Sequence, residues 1–333
     1  MRADEAALTR AIAENAFSGV VAIDQPAESP YRRAVGFAHR ALGVPNNPRT
    51  RFALASGGKT FTALAVLRLV QEGRLSLDDP VRPLLGDDLP LVDDAVTVSH
   101  LLEHTSGIGD YLDESAEGEP DDYVLTQPVH TLAETAGFLP ELTGHPQVST
   151  PGERFAYNNG GYLVLALVAE RATGRGYHEL VLSEVVERAG LACTAFLRSD
   201  DLPGDAALGY LDPGGNRTNL LHLPVRGNGD GGIWSTVDDL HRFWLALDDG
   251  RIVDPPLVGL MTTPRHDVPE EGLRHGMGVW LLPSAAVWLM EGCDAGVSMR
   301  SIHDPATRTT ATVLGNTTFG AWPVAELLLQ QFG

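Results

Sequence analysis

The chain has 333 residues, 43% of them hydrophobic, enough for a real core in one large domain or two. Lys plus Arg number 24 against 44 Asp plus Glu, and the net charge of −20 makes nucleic acid and anionic membranes poor partners. The charged opening "MRADEAALTRAIAENA" has no signal-peptide pattern, no run reaches the roughly 18 apolar residues of a membrane span, and Cys193 and Cys293 form neither a framework nor a CxxC pair. These features lead us to expect a cytoplasmic protein with free thiols and no membrane partner.

In chain order, residues 4–15 read as a helix, and "SGVVAI" (18–23) and "YRRAVGFA" (31–38) as strands around a polar turn. A long helix follows at about 57–72. Its apolar positions Phe61, Leu64, Ala65, Leu67 and Leu69 exceed one narrow stripe, so it is expected to be buried on most sides, and Gly73 is placed to end it. From 76 to 224, loops rich in Pro, Gly and Asp separate helices near 97–104, 131–138, 160–173 and 178–189. A helix at 237–248 is followed by strand-like runs at 275–282, 285–290, 297–303 and 309–315, and a last helix at about 320–331. Strands at both ends around a helical middle predict one α/β sheet unit from 1–75 and 225–333, with a mostly helical unit, 76–224, inserted.

The start of the long helix, "ASGGKTFTALAVLRLVQEG" (55–73), carries the chemistry. A phosphate-binding loop needs Gly-x-x-x-x-Gly-Lys-Thr/Ser, but Ala53 stands where its first glycine belongs. The alternative is Ser56-Gly57-Gly58-Lys59. Residues three apart on a helix share a face, which sets the Lys59 amine beside the Ser56 hydroxyl. A lysine with a lowered pKa can take that hydroxyl's proton, and the helix N-terminus favours the developing negative charge. The two glycines allow close approach of substrate or neighbouring chain. About a hundred residues on, Tyr157 and Asn159 lie on a loop before the next helix. There a tyrosine can relay a proton and an asparagine can hold a carbonyl or amide.

With these residues in place, the chain resembles the penicillin-binding-protein-like serine hydrolases: class C β-lactamases, D-alanyl-D-alanine carboxypeptidases and family VIII carboxylesterases. The resemblance runs through "RFALASGGKTFTALAVLRLVQEGRLSLDDPV" (51–81), "LLEHTSGIGDY" (101–111), "GERFAYNNGGY" (152–162), "GDGGIWSTVDDLHRFWLAL" (229–247) and "HGMGVW" (275–280). It implies an α/β (α+β) fold of the serine β-lactamase/transpeptidase type: an antiparallel sheet flanked by helices, with a mostly helical part beside it. It further implies Ser56 as nucleophile, Lys59 as its base, Tyr157 as general acid/base and Asn159 as a substrate-positioning group. The Ser56 N–H would supply half of the oxyanion hole.

The family's third motif, Lys-Thr-Gly or His-x-Gly, is altered. Aligning Gly292 and Gly296 in "EGCDAGVSMRS" (291–301) puts Cys293-Asp294-Ala295 at the motif and makes the Gly296 N–H the second oxyanion donor. Without the usual cation, and with Cys293 and Asp294 against substrate, the expectation is esterase-like or amidase-like hydrolysis of small neutral or positively charged substrates. β-Lactamase or D-amino-acid peptidase activity is the alternative, and a binding protein that lost its chemistry is the alternative of another class. Trp234 is expected to narrow the pocket, stack on an apolar substrate or fill the core. The partner is a small ester, amide or peptide-like molecule, with no metal and no organic cofactor, and the oligomeric state stays open. One decoy is His100-Leu101-Leu102-Glu103-His104, which fits the inverted zinc-protease pattern H-x-x-E-H. The "LLEHTSG" reading makes His104 instead the end of a helix that ties down a loop.

Overall fold

The computed structural model describes residues 5–114, 118–284 and 286–332. Position 4 of the expected first helix and position 285 of the expected 285–290 strand lie outside them, as do the outermost residues of the expected 1–333 unit. The described residues form twelve strands: β1 (Gly19–Asp24), β2 (Tyr31–Val35), β3 (Phe37–His39), β4 (Val44–Pro45), β5 (Phe52–Ala53), β6 (Trp234–Ser235), β7 (His266–Val268), β8 (Leu273–His275), β9 (Trp280–Leu281), β10 (Trp288–Asp294), β11 (Val297–Asp304) and β12 (Thr309–Gly315). Eight of them make one antiparallel sheet in the order β2-β1-β12-β11-β10-β9-β8-β7. The first strand therefore pairs with the last, Gly19 opposite Gly315, and the sheet is built from both ends of the chain.

Every residue of β1 is buried, and alternate residues serve different cores. Val20 and Ala22 face Phe61, Leu64 and Phe243, whereas Val21 and Ile23 face Leu8, Ile12, Val324 and Leu328. This is the period-2 rule of a strand covered on both sides. The second face is covered by α1 (Glu5–Glu14) and by a terminal helix at 322–329; on the first, the helix at 237–248 packs directly against β1 and β12, and α2 (Gly58–Gln71) joins the same core. In α2, all residues from Gly58 to Leu69 are buried, as its sequence demands. None of the described helices is long and apolar enough to cross a membrane.

The helical middle is more broken than its periodicity suggests. The expected helix at 131–138 is two 3-10 turns, 129–131 and 135–138, followed by the four residues Leu139–Leu142. Pro128, Gly137 and Pro140 interrupt it. The segment expected at 178–189 forms, but widens to π geometry over Leu182–Val186. The expected strand 275–282 parts into β8 and β9, because Gly278 adopts φ +73° between them.

Candidate active site

Ser56 lies in a 3-10 turn, Ala55–Gly57, that leads directly into α2. Two neighbours hold this turn. The Leu54 N–H donates to the Ile233 carbonyl at 2.9 Å, and the Gly232 N–H donates to the Ala55 carbonyl at 3.1 Å. Ala55 itself sits at φ +44°, an uncommon conformation for a residue with a Cβ, adjacent to the serine. Gly58 follows from this crowding: a Cβ there would lie 3.0 Å from Gly231 Cα, so neighbouring backbone takes the space that the glycine leaves.

Lys59 is one turn on and only 4% exposed. Its Nζ donates to Ser56 Oγ at 2.9 Å, to Asn159 Oδ1 at 2.7 Å and to the Asp230 carbonyl at 2.7 Å, so all three ammonium protons have acceptors. Burial pushes its pKa down from the usual lysine range, while the charges of Asp230, Glu114, Asp294 and Asp110 pull it back up. Tyr157 lines the same spaces as Ser56 and lies with its ring 5.0 Å from Lys59 Nζ. It is sandwiched between His104, at 4.5 Å between ring centres, and Trp280, at 6.1 Å. Burial and the negative charge of Glu114 hold the phenol well above its ordinary pKa, so it is protonated at neutral pH. His104 is held well below the ordinary histidine range, first by burial, and is a neutral ring.

Helix α3 (Val98–Leu102) resolves the zinc-like pattern. His100 closes a capping box by accepting from the Thr97 N–H, Glu103 pairs with Arg265 at 3.2 Å, and His104 Nδ1 accepts from the Asn158 N–H at 3.1 Å. The three side chains thus serve three different partners, and among the described residues no three His, Cys, Asp or Glu side chains are grouped to hold a metal.

Asn158 caps α4 (Asn159–Thr173), accepting from the Gly161 N–H at 2.6 Å. Asn159, the first residue of that helix, has both ends of its amide engaged within the protein. Oδ1 accepts from Lys59, and Nδ2 donates to the Leu112 carbonyl at 2.9 Å and to Glu114 at 2.8 Å. In this way Asn159 links Lys59 to the loop at 110–114 while also lining the pocket that opens on Ser56.

The third motif sits elsewhere than the alignment of Gly292 with Gly296 placed it. Gly296 is the hairpin turn between β10 and β11, at φ +70°, and its N–H donates to Thr318 Oγ1 at 2.9 Å, so it is not an oxyanion donor. The close approach belongs to Gly292, where a Cβ would lie 2.3 Å from the Leu54 carbonyl oxygen and 2.8 Å from the Ser56 nitrogen. Strand β10 thus meets the Ser56 turn at Met290-Glu291-Gly292, and these residues, with Cys293, line the spaces that open on Ser56. Cys293 borders the groove, but burial and Asp294 push its thiol up to about 12, which leaves it unreactive. Burial pushes Asp294 up to about 7.

Among the described residues three spaces border Ser56, a small one beside Lys59, His104 and Tyr157 and two larger ones of different character. One is an apolar pocket walled by Leu112, Leu197, Leu208, Leu223 and Trp234, with Asp230 and Asp294 beside the serine. Trp234 is 8% exposed and forms its wall from β6. The other is an open groove edged by Asp110, Glu114, Glu270, Glu271 and Glu291. Of the arginines there, Arg300 is bound to Glu291 at 2.8 Å and to Glu326 at 2.5 Å, and Arg154 is exposed. The acids at 110, 114, 230 and 291, which no motif of the sequence marks, lie inside or beside the very segments that carry the resemblance.

A sheet closed by its two terminal strands, with a serine at the head of a buried helix against it, is a penicillin-binding-protein type of architecture. A penicillin-binding protein from Bacillus halodurans has the same fold at a TM-score of 0.90 and 35% identity, covering 97% of this chain and 99% of that one. The beta-lactamase family model matches residues 5–331, and the chain belongs to that family. Esterase EstB of Burkholderia gladioli is 36% identical over 217 residues, 62% of this chain and 54% of that protein. The penicillin-binding-protein-like PbpX of Bacillus subtilis (strain 168) is 26% identical over 274 residues, 82% of this chain and 64% of that protein. The chain thus spans less than two thirds of the length of either of these two relatives.

Proposed function

We propose that the protein hydrolyses small esters or amides through an acyl-enzyme on Ser56. The observation that carries this reading is the buried Lys59 amine 2.9 Å from Ser56 Oγ, with its pKa lowered by desolvation. In its neutral form the amine accepts the serine proton as Oγ bonds to the substrate carbonyl carbon. The protonated Tyr157 phenol donates to the departing oxygen or nitrogen and recovers a proton from the neighbouring Lys59 ammonium, which returns the amine to its neutral form. Water then repeats the steps in reverse, releasing the acid and restoring the serine. The Ser56 N–H at the head of α2 faces the growing negative charge on the carbonyl oxygen.

The surrounding charge selects the substrate. Met290 and Glu291 stand on the strand segment that meets the nucleophile turn, and Asp110, Glu114, Asp230 and Asp294 act on Lys59. A donor with a carboxylate near its scissile bond meets repulsion; a neutral donor, or one with a free amine, does not.

The test compares p-nitrophenyl butyrate, an aminoacyl p-nitroanilide with a free amine, and the N-succinyl form of that anilide. The wild type is expected to cleave the first two and to disfavour the third. Ser56→Ala should lose at least about a thousandfold in kcat on every substrate cleaved. Retained activity in Ser56→Ala, or preference for the succinylated anilide, contradicts the reading.

A further inference from the structure

One short loop grips Asn159 from three sides. Asp110 Oδ2 accepts from the Asn159 N–H at 2.7 Å, and its Oδ1 from the Gly160 N–H at 2.8 Å. The Leu112 carbonyl and Glu114 Oε1 both accept from Asn159 Nδ2, at 2.9 and 2.8 Å. The loop also closes on itself, since the Leu112 N–H donates to Asp110 Oδ1 at 3.4 Å.

The two ends of an asparagine amide are close in shape and opposite in role, one accepting only and one donating only. Two acceptors held at the nitrogen end leave one orientation. It turns Oδ1 toward Lys59 Nζ, at 2.7 Å. Turned over, the amide would set its NH2 against the Lys59 ammonium and its oxygen against a carbonyl and a carboxylate.

We propose that the 110–114 loop is a positioning clamp for the proton-transfer pair: by holding the Asn159 amide in one orientation it aims Lys59 Nζ at Ser56. The proposal rests on the reading of Ser56 as nucleophile and Lys59 as base. Asp110 and Glu114 touch no reacting atom; their hydrogen bonds reach the pair through Asn159, and the charge of each also favours the Lys59 ammonium.

A clamp has a signature that a merely stabilising loop lacks. The ammonium form of Lys59 is the one that donates to Oδ1. When the amide is free to turn, that form loses an acceptor, so Lys59 gives up its proton more easily and the acid limb of the kcat/KM profile moves to lower pH. The negative charge of Glu114 favours the ammonium too, so its removal has the same sign. Glu114→Gln separates the two effects, because glutamine loses the charge but keeps an oxygen for Nδ2.

The experiment measures kcat, KM and the pH profile of ester hydrolysis for Asp110→Ala, Glu114→Ala and Glu114→Gln. Asp110→Ala is expected to lower kcat by about tenfold to a hundredfold with KM within about twofold, and to shift the acid limb down. Glu114→Gln should keep kcat within about threefold of wild type, with Glu114→Ala well below it and its limb displaced further. A folded Asp110→Ala with wild-type kcat and profile overturns the clamp. So do equal kcat values and equal limbs in the two Glu114 variants, and that pair decides the matter if Asp110→Ala does not fold. Failure of the nucleophile reading shows separately, as activity that survives Ser56→Ala.

Discussion

At the scale of single residues, the site holds groups whose burial works against stability. Asp294 is the clearest. It is half-buried on the lining of the apolar pocket, and the desolvation it meets there pushes its carboxylate up to about 7 from the ordinary 3.8. The folded state therefore holds the proton more tightly than the unfolded chain. The stabilising effect is fully present below about 3.8 and is lost as pH rises through about 7, where the buried group ionises. Asp294→Asn removes this dependence. Its melting temperature should gain on wild type steadily from pH 4 to pH 7 and the gap should level off above that, as followed by thermal unfolding at a series of pH values. A gap that stays constant across that range would show that Asp294 is solvated like an ordinary surface carboxylate. A costly acid kept beside a nucleophile fits a role in sorting substrates by charge.

At the scale of elements, the site is a contact between a turn and a strand. The 3-10 turn at 55–57 packs on β10 so closely that only hydrogen fits on Gly292. Gly292→Ala would place a methyl group against the Leu54 carbonyl and the Ser56 nitrogen, and backbone, unlike a flexible side chain, cannot swing aside. The expected loss is about 1–3 kcal/mol of stability from overpacking. The loss of kcat is expected to be larger, on the order of a hundredfold, because the nucleophile itself is displaced. Thermal unfolding and ester kinetics on one preparation check both. Wild-type kcat in this variant would show that the turn tolerates displacement. Element scale also explains why two glycines were confused. Gly296 is needed for a positive φ in a hairpin turn, and Gly292 for close approach within a strand. Both needs are written with the same letter, and only the register of β10 against β11, with Gly292 opposite Met299, tells them apart.

At the scale of the molecule, the sheet was legible because its strands announce themselves by length and composition, and the terminal pairing of β1 with β12 follows from strands lying at both ends. The long buried helix was legible from its excess of apolar positions, and the meeting of Ser56, Lys59 and Tyr157 in one place from spacing and segment order. What stayed hidden is long-range. Asp110 and Glu114 lie in a polar stretch that reads as a solvated loop, yet they reach Asn159 some 45 to 50 positions away. Asp230 meets Lys59 across 171 positions through a backbone carbonyl, a contact that no side-chain pattern encodes. The helix expected at 131–138 is broken for a local reason, since Gly137 lies within it and Pro140 just after it.

The central claim is a covalent intermediate on one serine, and intact mass spectrometry tests it most directly. The protein is mixed with excess p-nitrophenyl butyrate, quenched in acid within milliseconds to seconds, and weighed. The account predicts one butyryl group per chain, located on the peptide that carries Ser56, decaying as substrate is consumed and absent in Ser56→Ala. Hydrolysis without any adduct at the earliest times, or an adduct that persists in Ser56→Ala, would contradict it.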